Sequence, residues 1–302
     1  MSFNHVAIIG LGLLGGSTGL AVQEFLPDVK TSGYDADPDV RVRARERGLA
    51  GAIFDDPAEA VSGADLVILC VPLGAMEAAA RAIAPGLGQN TVISDVGSSK
   101  ESVLRSLTSA LPDHTIVPAH PVAGTEQSGP DAGFASLYQQ RWCIITPPAQ
   151  APEDTVEAVA SFWQSLGSTV EMMSPEHHDR VLAVTSHIPH LIAYTIVGTA
   201  SDLEEVTRTE VIKYSAGGFR DFTRIAASDP TMWRDVFLNN REAVLDMLDR
   251  FLTDLAMMRE AIKAGDGETM FDQFAKTRAV RRRIIEFGQD DARPDFGRHD
   301  HE

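Results

Sequence analysis

The segment Val6-Ala7-Ile8-Ile9-Gly10-Leu11-Gly12-Leu13-Leu14-Gly15 limits what this chain can fold into more than any other stretch. Four consecutive apolar residues with no polar break read as a strand covered on both faces, as in a parallel sheet. Three glycines then turn the chain into the apolar run Leu13–Phe25, which reads as a helix. At such a turn the first N–H groups of the helix and its dipole face outward together, and they hold a pyrophosphate. Asp35 ends the next expected strand, about 20 to 25 residues on, where a carboxylate accepts hydrogen bonds from ribose hydroxyls. An ordinary tight turn is the competing reading of the glycines alone. Strand, turn, helix and acid in this order point to a dinucleotide, with Gly10, Gly12, Leu13, Leu14, Gly15, Asp35, Val71 and Pro72 as the expected cofactor contacts. A carboxylate at Asp35, followed by Ala36 rather than an arginine, repels a 2′-phosphate, so NAD is expected over NADP.

Up to about Met172, short apolar strands alternate with helical stretches, the signature of a doubly wound parallel sheet of Rossmann type. The expected strands are 6–9, 31–34, 66–71, 91–94, 115–117, 143–146 and 169–172. The expected helices between them are 13–25, 39–47, 75–83, 100–110 and 154–166. From Ser174 the strand pattern stops and helical stretches replace it, at 177–199, 204–214, 230–239, 241–264 and 267–287. The expected division is therefore an α/β dinucleotide-binding domain over 1–173, an all-α domain over 174–288, and a polar, mobile tail over 289–302.

Val244, Leu248, Phe251, Leu255, Met258 and Ile262 follow a 4-3-4-3-4 spacing and lay one apolar seam along a helix. An intrachain core face and a dimer interface fit that pattern equally.

Composition narrows the partners. The 43 acidic residues outnumber the 26 basic ones, for a net charge of −17, which argues against nucleic acid or an anionic membrane. An anionic substrate must then be caught by local arginine or histidine. No secretory leader is expected, nor an uncharged apolar run approaching the roughly 20 residues of a membrane span. Cys70 and Cys143 fall in expected strands, as small core residues do in a reducing compartment, so the cytoplasm is the expected location.

Ala119-His120-Pro121-Val122-Ala123-Gly124 places a histidine just past the strand 115–117. Ligands of an open parallel sheet lie at the carboxyl ends of its strands, so His120 is expected beside the dinucleotide and placed for proton transfer. Asp95-Val96-Gly97-Ser98-Ser99-Lys100 ends another strand. It reads either as a hydroxyl, Ser98, presented to the same crevice, or as a serine capping a helix. In His187-Ile188-Pro189-His190 the proline removes a backbone donor, so the helix is expected to bend there, and the three-residue spacing puts both histidines on one face. One of them is expected to touch substrate. His177 and His178 lie near, but no cysteine or carboxylate sits at a recognisable zinc spacing, so no metal is expected.

The run Gly217-Gly218-Phe219-Arg220-Asp221-Phe222-Thr223-Arg224-Ile225-Ala226, continued by Ser228-Asp229-Pro230 and Met232-Trp233-Arg234-Asp235, resembles the second-domain signature of prephenate and arogenate dehydrogenases. The His120-Pro121-x-Ala123-Gly124-Thr125-Glu126, Asp95-x-Gly97-Ser98-x-Lys100 and Ser186-His187-x-Pro189-His190 segments resemble that family's other motifs, in the same order, from Val6 to about Phe287. The resemblance implies NAD-dependent oxidative decarboxylation of prephenate to 4-hydroxyphenylpyruvate in tyrosine biosynthesis, with L-arogenate as a further substrate. On it, His120 takes the ring hydroxyl proton and Ser98 supports that contact. Arg224 holds a substrate carboxylate, and His190 touches substrate. Thr125 and Glu126 line a gating loop, and Asp221 and Trp233 orient and pack around Arg224. A homodimer through the helical domain is implied. In departure from larger family members, neither a mutase segment before Val6 nor a regulatory domain after Phe287 is expected, so a monofunctional chain is expected. A β-hydroxyacid dehydrogenase and a non-catalytic NAD sensor are the rival readings. The His120-Pro121 motif and the Arg224 segment speak against the first, and the joint presence of Ser98, His120, His190 and Arg224 against the second.

Overall fold

The computed structural model describes residues 3–125, 127–202, 213 and 217–286. Among the described residues nine strands are found: β1 His5–Ile9, β2 Lys30–Tyr34, β3 Ala52–Ile53, β4 Leu66–Leu69, β5 Val92–Asp95, β6 Thr115–Ile116, β7 Ala119–Pro121, β8 Trp142–Ile145 and β9 Thr169–Met172. The helices are α1 Leu13–Phe25, α2 Pro38–Arg47, α3 Pro57–Val61, α4 Met76–Ile83, α5 Lys100–Ala110, α6 Glu153–Ser165, α7 Pro175–Leu182, α8 Ile188–Ser201, α9 Gly217–Thr223, α10 Pro230–Asn239, α11 Arg241–Ala264 and α12 Gly267–Glu286. The expected helix 204–214 and the tail 289–302 lie outside the described residues, apart from Lys213.

Strands β1 to β6 form one parallel sheet in the order β3-β2-β1-β4-β5-β6, the arrangement of dinucleotide-binding folds. Burial explains its unbroken apolar strands. Val6, Ile8, Leu66 and Ile68 join one core with residues of α1 and α6, while Ala7, Ile9, Val67 and Leu69 join a second core with residues of α4 and α5. Successive side chains point to opposite faces, and both faces are covered.

The expectation that 143–146 and 169–172 extend this sheet is corrected. They are β8 and β9, and with β7 they form a separate three-stranded sheet in which β7 runs antiparallel to β8. Two short strands, β3 and β7, were not expected; two or three residues carry too little periodicity to announce a strand.

Helix starts, by contrast, are written locally. Asp37-Pro38, Asp56-Pro57, Ser174-Pro175 and Asp229-Pro230 each place a capping side chain ahead of a proline in the first turn, and each cap accepts a backbone N–H of its helix.

The chain forms two compact units, one from residues up to His187 with Ala227–Val244, the other from Ile188–Ala226 with the residues from Leu245 onward. In the second, α8 and α9 are in contact. Near Pro189 the helical ladder is interrupted by a π-helical turn, Ala183–His187, between α7 and α8. Such a turn is one way to absorb a missing proline donor. The stretch Pro175–Ser201 is also long and apolar enough, by length and composition, to cross a membrane, contrary to expectation. His178, Asp179 and His187 within it are buried and bonded to protein groups, while Val184, Ile196 and Val197 are exposed and most of its apolar window is not buried.

Candidate active site

At the carboxyl end of β1 the chain turns through Gly10, whose φ of +94° is open to glycine and strained for other residues. A Cβ there would lie 2.5 Å from the carbonyl oxygen of Cys70, and one at Gly15 would lie 1.8 Å from the Gly10 carbonyl oxygen. These glycines let strand, turn and helix α1 approach closely. Gly12, at the helix start, has nothing within 4 Å of its Cβ position. Helix α1 has no side-chain cap and no acid in its first turn. Open space above uncapped N–H groups fits a pyrophosphate.

Asp35 follows β2 and accepts hydrogen bonds from the N–H groups of Leu11 (2.7 Å) and Asp37 (2.9 Å), which fixes the carboxylate beside the glycine turn. Leu13 and Leu14 open α1, half-buried, and the Leu14 carbonyl accepts the hydroxyl of Tyr138 at 2.8 Å. Val71, half-buried, and Pro72, exposed, follow β4. These residues fit the dinucleotide that the sequence suggests. An arginine does approach Asp35 in space: Arg41 donates to the carbonyls of Asp35 and Ala36, pairs with Asp55 at 2.9 Å and lies over the ring of Tyr34. Its Nε and Nη1 donors are engaged with those partners.

His120 lies within β7 rather than past the end of β6. Its strand is tied to the carboxyl end of β5 by a fully buried ion pair. Lys100 Nζ donates to Asp95 Oδ2 and to the Ala119 carbonyl, each at 2.6 Å, and Asp95 also accepts the N–H groups of Gly97 and Ala119. Burial pushes the Asp95 carboxyl up and the Lys100 amine down. The glycine turn leaves β1 at this same edge of the sheet, one strand from β4 and two from β5.

The His120 imidazole is 8% exposed, and its Nδ1 lies 2.8 Å from Nε2 of His178. His178 Nδ1 in turn meets Asp179 Oδ1 at 2.7 Å. Asp179 accepts the N–H groups of Lys100 (2.7 Å) and Glu101 (3.0 Å), the first residues of α5. The residue preceding α5, Ser99, makes no side-chain cap bond. The serine-cap reading of this turn is thus corrected: an aspartate 79 residues away caps the helix. Burial, with adjacent His178, Lys100 and His187, holds the His120 imidazole well below its usual range, so it is neutral at neutral pH.

Ser98 is half-buried in the turn before α5. Thr125 is exposed and accepts the Gln127 N–H, and Glu126 lies outside the described residues. His187 is buried, 3.1 Å from the Asn240 amide and edge-on to Trp233. Trp233 is buried and also rests on Phe237. Ser98, Thr125, His187 and Trp233 belong to the first unit. His190, half-buried, Asp221, 3.2 Å from the guanidinium of Arg220, and the exposed Arg224 belong to the second.

His178, Asp179, Lys100 and Asp95 are the contributors that sequence reasoning missed as part of the site. A signal existed: His178, Asp179, Leu182 and His187 share a buried helical stripe, and polar groups on such a stripe need partners. Among the described residues no cluster of three or more His, Cys, Asp or Glu is arranged to hold a metal ion.

A parallel sheet in the order 3-2-1-4-5-6, a glycine turn and a buried imidazole at the same edge define a dinucleotide-dependent dehydrogenase architecture. The family model described as prephenate dehydrogenase, nucleotide-binding domain, matches residues 18–172, and the one described as prephenate dehydrogenase, dimerization domain, matches 174–276. A cyclohexadienyl dehydrogenase of Zymomonas mobilis is 48% identical over 92% of this chain and 95% of its own length. The prephenate dehydrogenase of Bacillus subtilis is 32% identical over 91% of the chain and 75% of its own. A crystal structure of prephenate dehydrogenase from A. aeolicus, in complex with hydroxyphenyl propionate and NAD+, matches with a TM-score of 0.87 at 32% identity, covering 94% of this chain and 99% of that one. The chain belongs to the prephenate dehydrogenase family.

Proposed function

We infer that this chain is an NAD-dependent oxidoreductase that oxidatively decarboxylates prephenate to 4-hydroxyphenylpyruvate in tyrosine biosynthesis, and that it accepts L-arogenate as a second substrate. The observation that carries the reading is His120, a buried neutral imidazole anchored at the carboxyl edge of a dinucleotide-type sheet. NAD, when bound, supplies the hydride acceptor. The chain's own task is to orient the substrate and manage one proton, because aromatisation of the ring drives the loss of CO2. His120 takes the ring hydroxyl proton as that carbon is oxidised, then returns it to the phenolic oxygen once the carboxyl group leaves as CO2. Lys100 and Asp95 keep its strand in place, and Ser98 supports the hydroxyl contact.

Arg224 holds a substrate carboxylate, a task suited to its planar fork. His190, Thr125, Glu126, Asp221 and Trp233 complete the substrate set, and the glycine turn, Asp35, Val71 and Pro72 the cofactor set. Residues 1–173 bind NAD and 174–288 bind substrate and dimerise, a division supported by the matched segments.

The direct test is NADH formation with prephenate and NAD. Turnover with prephenate is expected to exceed that with L-arogenate, and NAD to outperform NADP because the Asp35 carboxylate faces the glycine turn and Arg41 is already paired. Activity on a β-hydroxyacid, with none on either cyclohexadiene, would refute the assignment.

A homodimer is supported by apolar residues that the single chain leaves exposed: Leu252, Leu255, Met257 and Ile262 on α11, with Phe271 and Phe274 on α12. Sedimentation is expected to give about twice the 32.6 kDa chain mass at micromolar concentration; a monomer there would count against it. The free thiols of Cys70 and Cys143 support a cytoplasmic location, which cell fractionation would check.

A further inference from the structure

We infer that His178 and Asp179 are positioning residues that hold His120 in a single tautomer, with the proton on Nδ1 and the lone pair on Nε2. The inference rests on the reading of His120 as the base and goes beyond it, because it assigns which ring nitrogen takes the substrate proton and what enforces that choice.

One buried string of hydrogen bonds links the start of α5 to His120 through Asp179 and His178. The Asp179 carboxylate already accepts two backbone N–H groups at the start of α5, from Lys100 and Glu101, and backbone N–H groups can only donate. The positive end of the α5 dipole also favours the ionised carboxylate there, against the upward push of its burial. An ionised carboxylate accepts, so the contact of His178 Nδ1 with Asp179 Oδ1 at 2.7 Å makes Nδ1 the protonated nitrogen of His178. Burial and the nearby Lys100 and His187 push the His178 imidazole far down, so the ring is neutral and its Nε2 carries only a lone pair. His120 Nδ1 lies 2.8 Å from that lone pair and must donate to it. Nε2 is then the one His120 nitrogen able to accept a proton. The string follows the carboxylate–imidazole logic of hydrolase triads, extended by a second imidazole.

Asp179 thereby serves two ends. It supplies the cap that Ser99 does not, and it sets the direction of every hydrogen bond up to His120. Asn240 pins the same segment by donating to the Asp179 carbonyl at 2.8 Å. The Ser98–Lys100 turn and the His120 ring are thus fixed by a single side chain.

Asp179→Asn reverses the string while keeping part of the cap. Oδ1 serves both the Lys100 N–H and His178 Nδ1, so an amide nitrogen in its place donates to His178 Nδ1 and gives up the Lys100 N–H, while the amide oxygen in the Oδ2 place still accepts the Glu101 N–H. That reverses the string and moves the His120 proton from Nδ1 to Nε2, where it blocks proton acceptance. In 15N-histidine NMR spectra of the protein without ligands at neutral pH, His120 is expected to carry its proton on Nδ1 in the wild type and on Nε2 in Asp179→Asn. With prephenate and NAD, kcat is expected to fall by about 10²- to 10⁴-fold, the range of a wrongly protonated base, with KM within about threefold and the thermal midpoint lowered by the lost Lys100 cap bond. His178→Asn leaves the Asp179 cap intact and is the second variant should Asp179→Asn not fold; its kcat is expected to fall likewise, with His120 no longer held in one tautomer. A wild-type His120 protonated on Nε2, an unchanged tautomer in Asp179→Asn, or wild-type kcat in either folded variant overturns the inference. If His120→Asn is inactive while these variants turn over normally, the base assignment survives and only the inference fails. If the wild type oxidises no cyclohexadiene, the functional reading fails and the spectra still decide the tautomer.

Discussion

His120→Asn is expected to lower kcat for prephenate oxidation by about 10²- to 10⁴-fold, the usual worth of a positioned general base, while NAD affinity stays near the wild-type value. The amide is close to isosteric with the Nδ1 side of the ring and can still donate to His178 Nε2, so the buried string keeps a partner and the fold should survive. The pH dependence carries a sign. A neutral imidazole is the active form, and burial with the neighbouring His178, Lys100 and His187 holds its pKa well below 6.5. Protonation, and with it loss of activity, therefore begins only well below pH 6.5. In the wild type kcat/KM should stay level as pH falls through that value and decline further down, and the variant should lack this decline. Wild-type turnover in His120→Asn, or an acid limb centred at or above pH 6.5 that His120 controls, would remove the histidine from its role.

Arg224→Ala is expected to raise KM for prephenate by about 30- to 150-fold, the loss of one charge-assisted pair worth about 2–3 kcal/mol, with kcat changed only a few-fold. Arg224 begins the 3-10 turn that follows α9 and is exposed, so its truncation removes little packing from the fold. The contrast between the two variants is the informative part. One removes a group that acts as the reaction proceeds and the other a group that holds the ground state, so their effects should fall on kcat and KM respectively. Arg224→Lys keeps the charge but loses the fork and should recover only part of the affinity. A wild-type KM in Arg224→Ala would mean that the guanidinium serves a structural ion pair instead.

Much of the fold was legible because its signals are local. The two-face burial of β1 and β4 is written as apolar runs, and helices α1, α5, α10 and α11 begin and end where periodicity, caps and prolines place them. The glycine turn could be read because steric freedom at Gly10 and Gly15 is set by atoms within a few residues and one neighbouring strand. The seam on α11 was only half legible: Val244 is buried within the chain, whereas Leu255 and Ile262 are exposed, and spacing alone cannot divide a stripe between two environments. Asp35 was read correctly as an acid beside the turn, but its bond to the Leu11 N–H and the approach of Arg41 came from the folded chain.

The amino-acid order by itself determined the strand–turn–helix start and the limits of α1, α5, α10 and α11, since each depends on hydrogen bonds, sterics or periodicity spanning about ten residues or fewer. Only the tertiary structure decided that β7, β8 and β9 leave the main sheet, that His120 meets His178 across 58 residues of chain, and that Asp179 caps a helix 79 residues earlier. Those pairings follow from how buried polar groups find partners once the core has closed, and such partners are chosen by packing in space rather than by neighbours along the chain.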